Sequence, residues 1–352
     1  MKIARCALLL AYMVTACARS DAAGPHALPA YRVDLSQTTV SGLSSGAYMA
    51  GQFAVAYSSF VHGVGIVAGG PYYCAGHPGH EPFIPYLSNA MSVCMNPADA
   101  GTEPPDAVFL WARAQAFAHA GLIDDVANLR AQSVYLFSGR NDHTVTTAVA
   151  DQARNFYELA GAAVRYVDNV DAGHGMVTDR GSDNACDSTA PPYFNDCRLP
   201  LARAILDYLY ADMKPAAAQL TGSILRFDQR RYARAASGMA DTGYAYVPAS
   251  CAQQVCRVHV AFHGCRQSVR EIGDHFYAHA GYNEAADANN IIVLYPQVEP
   301  SYYYPYNPRG CWDFWGYASN DPFTPDFYTR DGAQVRAVRA MLARLAQPRR
   351  TP

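Results

Sequence analysis

The stretch TTVSGLSSGAYMAGQFAVAYS, Thr38 to Ser58, decides the fold. A β-branched run leads into two adjacent serines held between glycines, and an Ala-rich, helix-like run follows. Where a strand turns sharply into a helix, the residues two before and two after the apex crowd together and must be small. Around Ser44 those residues are Gly42 and Gly46; around Ser45 they are Leu43 and Ala47. The frame therefore selects Ser44 as the apex. Read without its partners, the same stretch is also an ordinary capped helix start.

A serine hydroxyl becomes a nucleophile only beside a histidine that takes its proton and a carboxylate that orients that histidine. Two loops downstream carry these groups in the order Ser, acid, His expected of an α/β-hydrolase. The loop SGRNDHTV, after the run VYLF, holds Asp142; the loop DNVDAGHGM, after VRYV, holds His174 between two glycines. Asp142 also reads as a helix cap, and Asp168 and Asp171 stand too close to His174 in its own loop to orient it. One oxyanion amide is expected from Ser45, at the helix start where unpaired N–H groups favour negative charge. The only match to a second donor loop is His263-Gly264-Cys265 after VHVAF, more than two hundred residues behind Ser44 rather than ahead of it. That inversion implies a circular permutation, in which the C-terminal third supplies the usual first strands. HGC also reads as a turn bearing half of a disulfide.

The 352 residues, half of them hydrophobic, suffice for a large core. Strands are expected at 38–40, 63–67, 134–137, 164–167, 258–262 and 291–295. Helices are expected at 47–57, 106–120, 146–160, 201–211, 274–288 and 331–345. The alternation predicts an α/β fold with a mainly parallel central sheet and helices on both faces. VHVAF and IIVLY should be buried on both sides. Residues 71–105, dense in Pro, Gly and His, read as a surface excursion, and 213–220 as a connection within one domain.

A net charge of −3 with 16% charged residues offers no basic face for nucleic acid, while 25 tyrosines favour a neutral or apolar ligand. Residues 1–23 read as a signal peptide, with no transmembrane span; VTAC ending at Cys17 is the alternative of a lipoprotein signal and a lipid anchor. Residues 24–352 then form a single catalytic domain, secreted to the extracellular space or periplasm and monomeric. Eight cysteines remain, an even number that argues for disulfides in an exported chain. Their simplest pairing joins sequence neighbours: Cys74 with Cys94, Cys186 with Cys197, Cys251 with Cys256, and Cys265 with Cys311. No metal and no cofactor are expected, because no ligand spacing suits one.

Six blocks, SGLSSGAYMAGQFAVAYS, GVGIVAGGPYYCA, DTGYAYVPASC, VHVAFHGCRQS, GYNEAADANNIIVLYPQ and GCWDFWGY, occur in order from about Leu35 to Trp315. Together they resemble the single-domain polyhydroxybutyrate depolymerases, which are circularly permuted α/β-hydrolases. The resemblance implies an exported serine esterase cleaving poly(3-hydroxybutyrate) or its oligomers. It puts Ser44, Asp142 and His174 on the triad, Ser45 and Cys265 on the oxyanion amides, and Trp312 on the substrate groove, and it agrees with the four neighbour disulfides. Many bacterial depolymerases carry a linker and a separate polymer-binding domain; the chain departs from them, and no such domain is expected here. The residues fit two other readings: an exported feruloyl or acetyl-xylan esterase with the same triad, and a noncatalytic surface-binding protein on a hydrolase scaffold. The chain departs from the family pattern most over 77–105, and Arg140 and His143 beside the acid are expected to alter its pH behaviour.

Overall fold

The structure is a computed structural model describing residues 26–78, 85–321 and 323–349. The signal-peptide and Cys17 expectations lie outside the described residues. In chain order the strands are β1 (Thr38–Leu43), β2 (Val61–Val67), β3 (Ser133–Gly139), β4 (Ala163–Val170), β5 (Met176–Thr178), β6 (Asn184–Ala185), β7 (Phe194–Asp196), β8 (Ser223–Asp228), β9 (Thr242–Val247), β10 (Arg257–Phe262) and β11 (Ile291–Tyr295). The helices are α1 (Ser45–Ala56), α2 (Pro85–Met91), α3 (Ala107–His119), α4 (Thr147–Leu159), α5 (Leu201–Leu209), α6 (Val269–Ile272), α7 (His275–His279), α8 (Tyr282–Asp287) and α9 (Ala333–Ala346).

Eight strands form one sheet in the order β4-β3-β2-β1-β10-β11-β9-β8. The run from β4 to β11 is parallel, and β9 and β8 are antiparallel at one edge. Helices α1, α3, α4 and α9 pack one face, and α5, α7 and α8 the other. As expected of strands covered on both sides, β1 and β11 are buried along their whole length, and β10 beyond its first residue. The fold is thus a circularly permuted α/β-hydrolase. Its C-terminal helix returns to the start of the described residues: the amides of Tyr31 and Val33 donate to Leu345 O at 2.9 and 3.3 Å. Joining those ends on paper puts β10 and its HGC loop ahead of β1, the usual order.

Two expectations need correction. The helix expected over 274–288 is broken into α7 and α8, because Gly281 takes a left-handed φ of 91° that no helix interior allows. Strands β8 and β9 were not expected at all. β8 is exposed or half-buried except at Phe227, and β9, buried beyond its first residue, carries two tyrosines, so neither forms the continuous aliphatic run that marks the centre of the sheet. The connection 213–220 is pinned to the α8 region, with Lys214 N donating to Asn289 Oδ1 at 2.7 Å and Ala217 N to Glu284 O at 2.9 Å.

The seam between β1 and β10 carries a buried polar network. Thr39 Oγ1 donates to Tyr210 Oη at 2.8 Å, so the Nδ1–H of His259 is the donor to Thr39 at 2.7 Å. The Nε2 of His259 then accepts from Ser41 Oγ at 2.8 Å. Both contacts suit a neutral ring, and burial pushes His259 down to about 3 from an ordinary 6.5. Burial likewise lowers His263, at the end of β10, to about 4. A histidine depressed in the folded state stabilises fully above its unfolded pKa, and that contribution is lost as pH falls toward the folded value. Stability should therefore drop between about pH 6.5 and 4, by up to about 1.4 kcal/mol per pH unit for each histidine. Urea unfolding midpoints at stepped pH check this; a flat profile over that window would contradict it.

Candidate active site

The elbow is built by two glycine contacts. A Cβ on Gly42 would lie 2.2 Å from Gly46 O, so strand and helix backbones touch here. A Cβ on Gly46 would lie 2.4 Å from the carbonyl oxygens of both Phe262 and His263, so the helix start is pressed against the end of β10. Between them Ser44 adopts φ 56° and ψ −122°, a conformation costly to a non-glycine residue by about 1–3 kcal/mol. Such strain persists only because its surroundings over-determine it.

The acid and base loops are zipped together at the ends of β3 and β4. Gly139 leaves no room for a side chain, with Ala172 O only 2.1 Å from where its Cβ would sit, and Asn141 N donates to that same oxygen at 3.1 Å. This brings the Nδ1 of His174 to 2.8 Å from Oδ2 of Asp142, both side chains buried. The other carboxylate oxygen, Oδ1, accepts from the amides of Thr144 and Val145 at 2.8 and 2.9 Å. Asp142 is therefore a turn cap and a histidine partner at once, one oxygen for each. Arg140 instead pairs with Asp171 at 3.5 Å, both well exposed.

Behind His174 lies a strap of three short parallel strands, β5, β7 and β6, closed by Cys186–Cys197. Gly173 N donates to Cys186 O at 2.9 Å, and a Cβ there would sit 2.3 Å from Ser188 O. His174 N donates to Thr189 Oγ1 at 2.9 Å. The glycines around His174 are thus explained by the close approach of the strap. The strap also reaches the HGC loop: Gln267, buried, accepts from Gly264 N at 2.8 Å and donates to Pro192 O and Tyr193 O at 3.1 Å each.

The four neighbour disulfides are all present, and Cys265–Cys311 joins the HGC loop to the aromatic C-terminal loop. The Cys265 amide makes no hydrogen bond among the described residues, and the Ser45 amide begins α1 without a carbonyl one turn back. Ser44, Ser45 and Cys265 line one cleft of about 360 Å³. Its walls are apolar: Tyr48, Met91, Val145, Tyr306, Phe314 and Trp315 among them. Tyr48 stacks on Phe314 at 4.3 Å.

Trp312, expected on the groove, is not there. Its side chain is fully buried against Phe262 and His263, and its amide donates to Ser45 Oγ at 3.2 Å. The loop turns at Asp313, whose carboxylate accepts from the amides of residues 315 to 318, and this turn sends Phe314 and Trp315 into the cleft instead. Sequence reasoning also missed the opposite wall. Leu87, Ala90 and Met91 of α2, with Met95, come from the excursion that Cys74–Cys94 pins down, and Thr146 N fastens it to Met95 O at 3.0 Å. Leu87, Ala90 and Met91 do keep helical spacing, but in a helix of only 7 residues the period is too short to stand out from the Pro-rich stretch around it. Gly46→Ala should force the β10 end away from the elbow and lower kcat on p-nitrophenyl butyrate by about 10²- to 10³-fold, the effect of misplacing one oxyanion donor. A variant that folds by near-UV circular dichroism and keeps full turnover would show that this contact is dispensable.

Comparisons with known proteins identify relatives over most of the chain. The chain is 40% identical over 328 residues to a poly(3-hydroxybutyrate) depolymerase of Delftia acidovorans, a match covering 91% of this chain and 61% of that enzyme. It therefore spans less than two thirds of that relative's length. It is also 40% identical over 313 residues to the polyhydroxybutyrate depolymerase of Talaromyces funiculosus, covering 84% and 86%. Among solved structures, a serine-to-alanine variant of a PHB depolymerase complexed with an R3HB trimer matches with TM-score 0.79 and 35% identity over 91% of this chain and 98% of that one. The PHB depolymerase from Penicillium funiculosum matches with TM-score 0.80 at the same identity and coverage. No protein-family model matches. With 40% identity across most of both the Talaromyces enzyme and this chain, and a shared permuted fold, this protein belongs to the polyhydroxybutyrate depolymerase family.

Proposed function

We propose that the chain is a serine esterase that hydrolyses poly(3-hydroxybutyrate) or its oligomers through an acyl-enzyme. The observation that carries this reading is the His174–Asp142 pair, at 2.8 Å, in a molecule whose strained Ser44 opens into an apolar cleft beside two unengaged amides. With Nδ1–H donated to Asp142, Nε2 of His174 is the basic nitrogen. It takes the Ser44 proton as Oγ bonds to the ester carbonyl carbon. The oxyanion accepts from Ser45 N and Cys265 N. Collapse breaks the bond to the alkoxy oxygen, which receives the proton from His174 and leaves as the hydroxyl end of a shorter chain. Water, deprotonated by His174, then attacks the acyl carbon, and Ser44 leaves with the proton restored.

The substrate class rests on the relatives, one of them solved with an R3HB trimer, and on the cleft's character. A neutral, methyl-bearing polyester needs apolar subsites and no charge for its interior units. Phe314 and Trp315 on one wall and Met91 and Val145 on the other meet that need. Four disulfides support an oxidising compartment, extracellular or periplasmic. We read residues 24–352 as one catalytic unit.

Ser44→Ala should abolish 3-hydroxybutyrate release. Ser45→Ala should keep kcat within a few-fold, since only its amide faces the oxyanion, and lose about 1–3 kcal/mol of stability because the buried Trp312 amide is left unpaired. Mass analysis of products from amorphous polymer and trimer, beside feruloyl esters and acetylated xylan, checks both chemistry and substrate. Turnover of the plant-wall esters alone would replace the polyester reading.

A further inference from the structure

Two arginines flank the nucleophile with no acidic partner. Arg266 follows Cys265 directly, and Arg309 lies two residues before Cys311. Both are exposed, and neither enters an ion pair among the described residues. Glu271 of α6 lies near enough to feel the charge of Arg266 without pairing with it. The two loops are stapled to each other: Arg266 N donates to Arg309 O at 2.7 Å, and in the neighbouring bridge the Cα atoms of Cys265 and Cys311 are 4.2 Å apart. Two guanidinium stems therefore leave from touching stretches of backbone, and an anion that met both would be held by two positive charges. The chain around them has a net charge of −3, so the pair is not part of a general basic surface.

Their position relative to the chemistry is informative. Arg266 and Arg309 line a second, more polar cavity of about 300 Å³ together with Ser44, His174, Tyr193 and Gln267. His174 does not line the apolar cleft, and Arg309 borders both spaces. His174 must hand its proton to the departing alkoxy oxygen, so the leaving group occupies the His174 side. The acyl part then lies along the apolar cleft. In a 3-hydroxyacid oligomer, the leaving fragment is the one that runs toward the free carboxyl end.

We propose that Arg266 and Arg309 form a subsite for that terminal carboxylate, so that cleavage of short oligomers is measured from the carboxyl end. This rests on the polyester reading above. Interior units present only neutral esters, whereas a terminal carboxylate matches the planar, multi-donor guanidinium in geometry and charge. The pair thus separates an oligomer's end from its middle, which apolar walls alone cannot do.

The test compares the 3-hydroxybutyrate trimer as free acid and as methyl ester, with the unmodified chain and with the double variant Arg266→Gln, Arg309→Gln. The unmodified chain should favour the acid in kcat/KM by about tenfold or more. That preference should fall toward one in the double variant, and also in about 0.5 M salt, where exposed charges are screened. Equal kcat/KM for acid and ester in the unmodified chain, or a preference that survives both changes, overturns the proposal. If neither trimer is cleaved, calorimetric binding of each to the Ser44→Ala chain decides. Tighter binding of the acid keeps the carboxylate subsite while the polyester reading falls; equal or absent binding removes the subsite as well.

Discussion

The contact on which the site depends is the absence of a side chain at Gly46. Only a hydrogen there lets the first turn of α1 rest against the carbonyls of Phe262 and His263. That approach sets the distance between the two candidate oxyanion amides, one on α1 and one on the loop after β10. Gly42 does the matching work on the other side, letting β1 pass under the helix so that Ser44 is thrust up into a left-handed conformation. Everything else in the site is positioned relative to this crossing. The candidate acid and base, Asp142 and His174, come from the neighbouring strand ends through the Gly139–Ala172 contact, and the strap ties the His174 loop back to the HGC loop through Gln267. A parallel sheet makes such convergence natural, because all its strand ends open on one side.

The parts of this arrangement that were legible in sequence are those in which geometry demands a particular residue. Gly42 and Gly46 had to be small, His174 needed room on both sides, and Asp142 sat in a turn before a helix. Each could be read from a few consecutive letters. The pairing of cysteines was readable for a similar reason, since close neighbours in sequence are close in space. The permutation was readable from order alone, because HGC stands behind the elbow it serves.

What could not be read was anything fixed by long-range packing. Trp312 carries the aromatic character expected of a groove, yet whether an aromatic residue faces cleft or core depends on how the Asp313 turn rotates the chain, and no local pattern encodes that rotation. The α2 wall is held by Cys74–Cys94 and the Met95–Thr146 bond rather than by its own periodicity. β8 and β9 were missed because an antiparallel edge can be built from mixed residues, without the continuous aliphatic stretch that a doubly covered strand requires. Gly281 lies inside the helix expected over 274–288, and a glycine within a helical pattern signals a break only when its φ is known.

The connectivity of the cross-links bears on how the molecule is made. Cys74–Cys94 and Cys186–Cys197 lie wholly in the stretch before β8, and Cys251–Cys256 and Cys265–Cys311 wholly in the stretch after it. No bridge among them crosses the line between β1 and β10, although that line runs through the middle of the sheet. During synthesis the first half can fold and oxidise while β1 still waits as an open edge for a partner more than two hundred residues behind it. The proposed nucleophile is thus translated early, but its proposed second oxyanion donor arrives late, and across that line the two halves are held by hydrogen bonds and packing rather than by a disulfide. An oxidised chain can in consequence come apart at its candidate active site with all four of these disulfides intact.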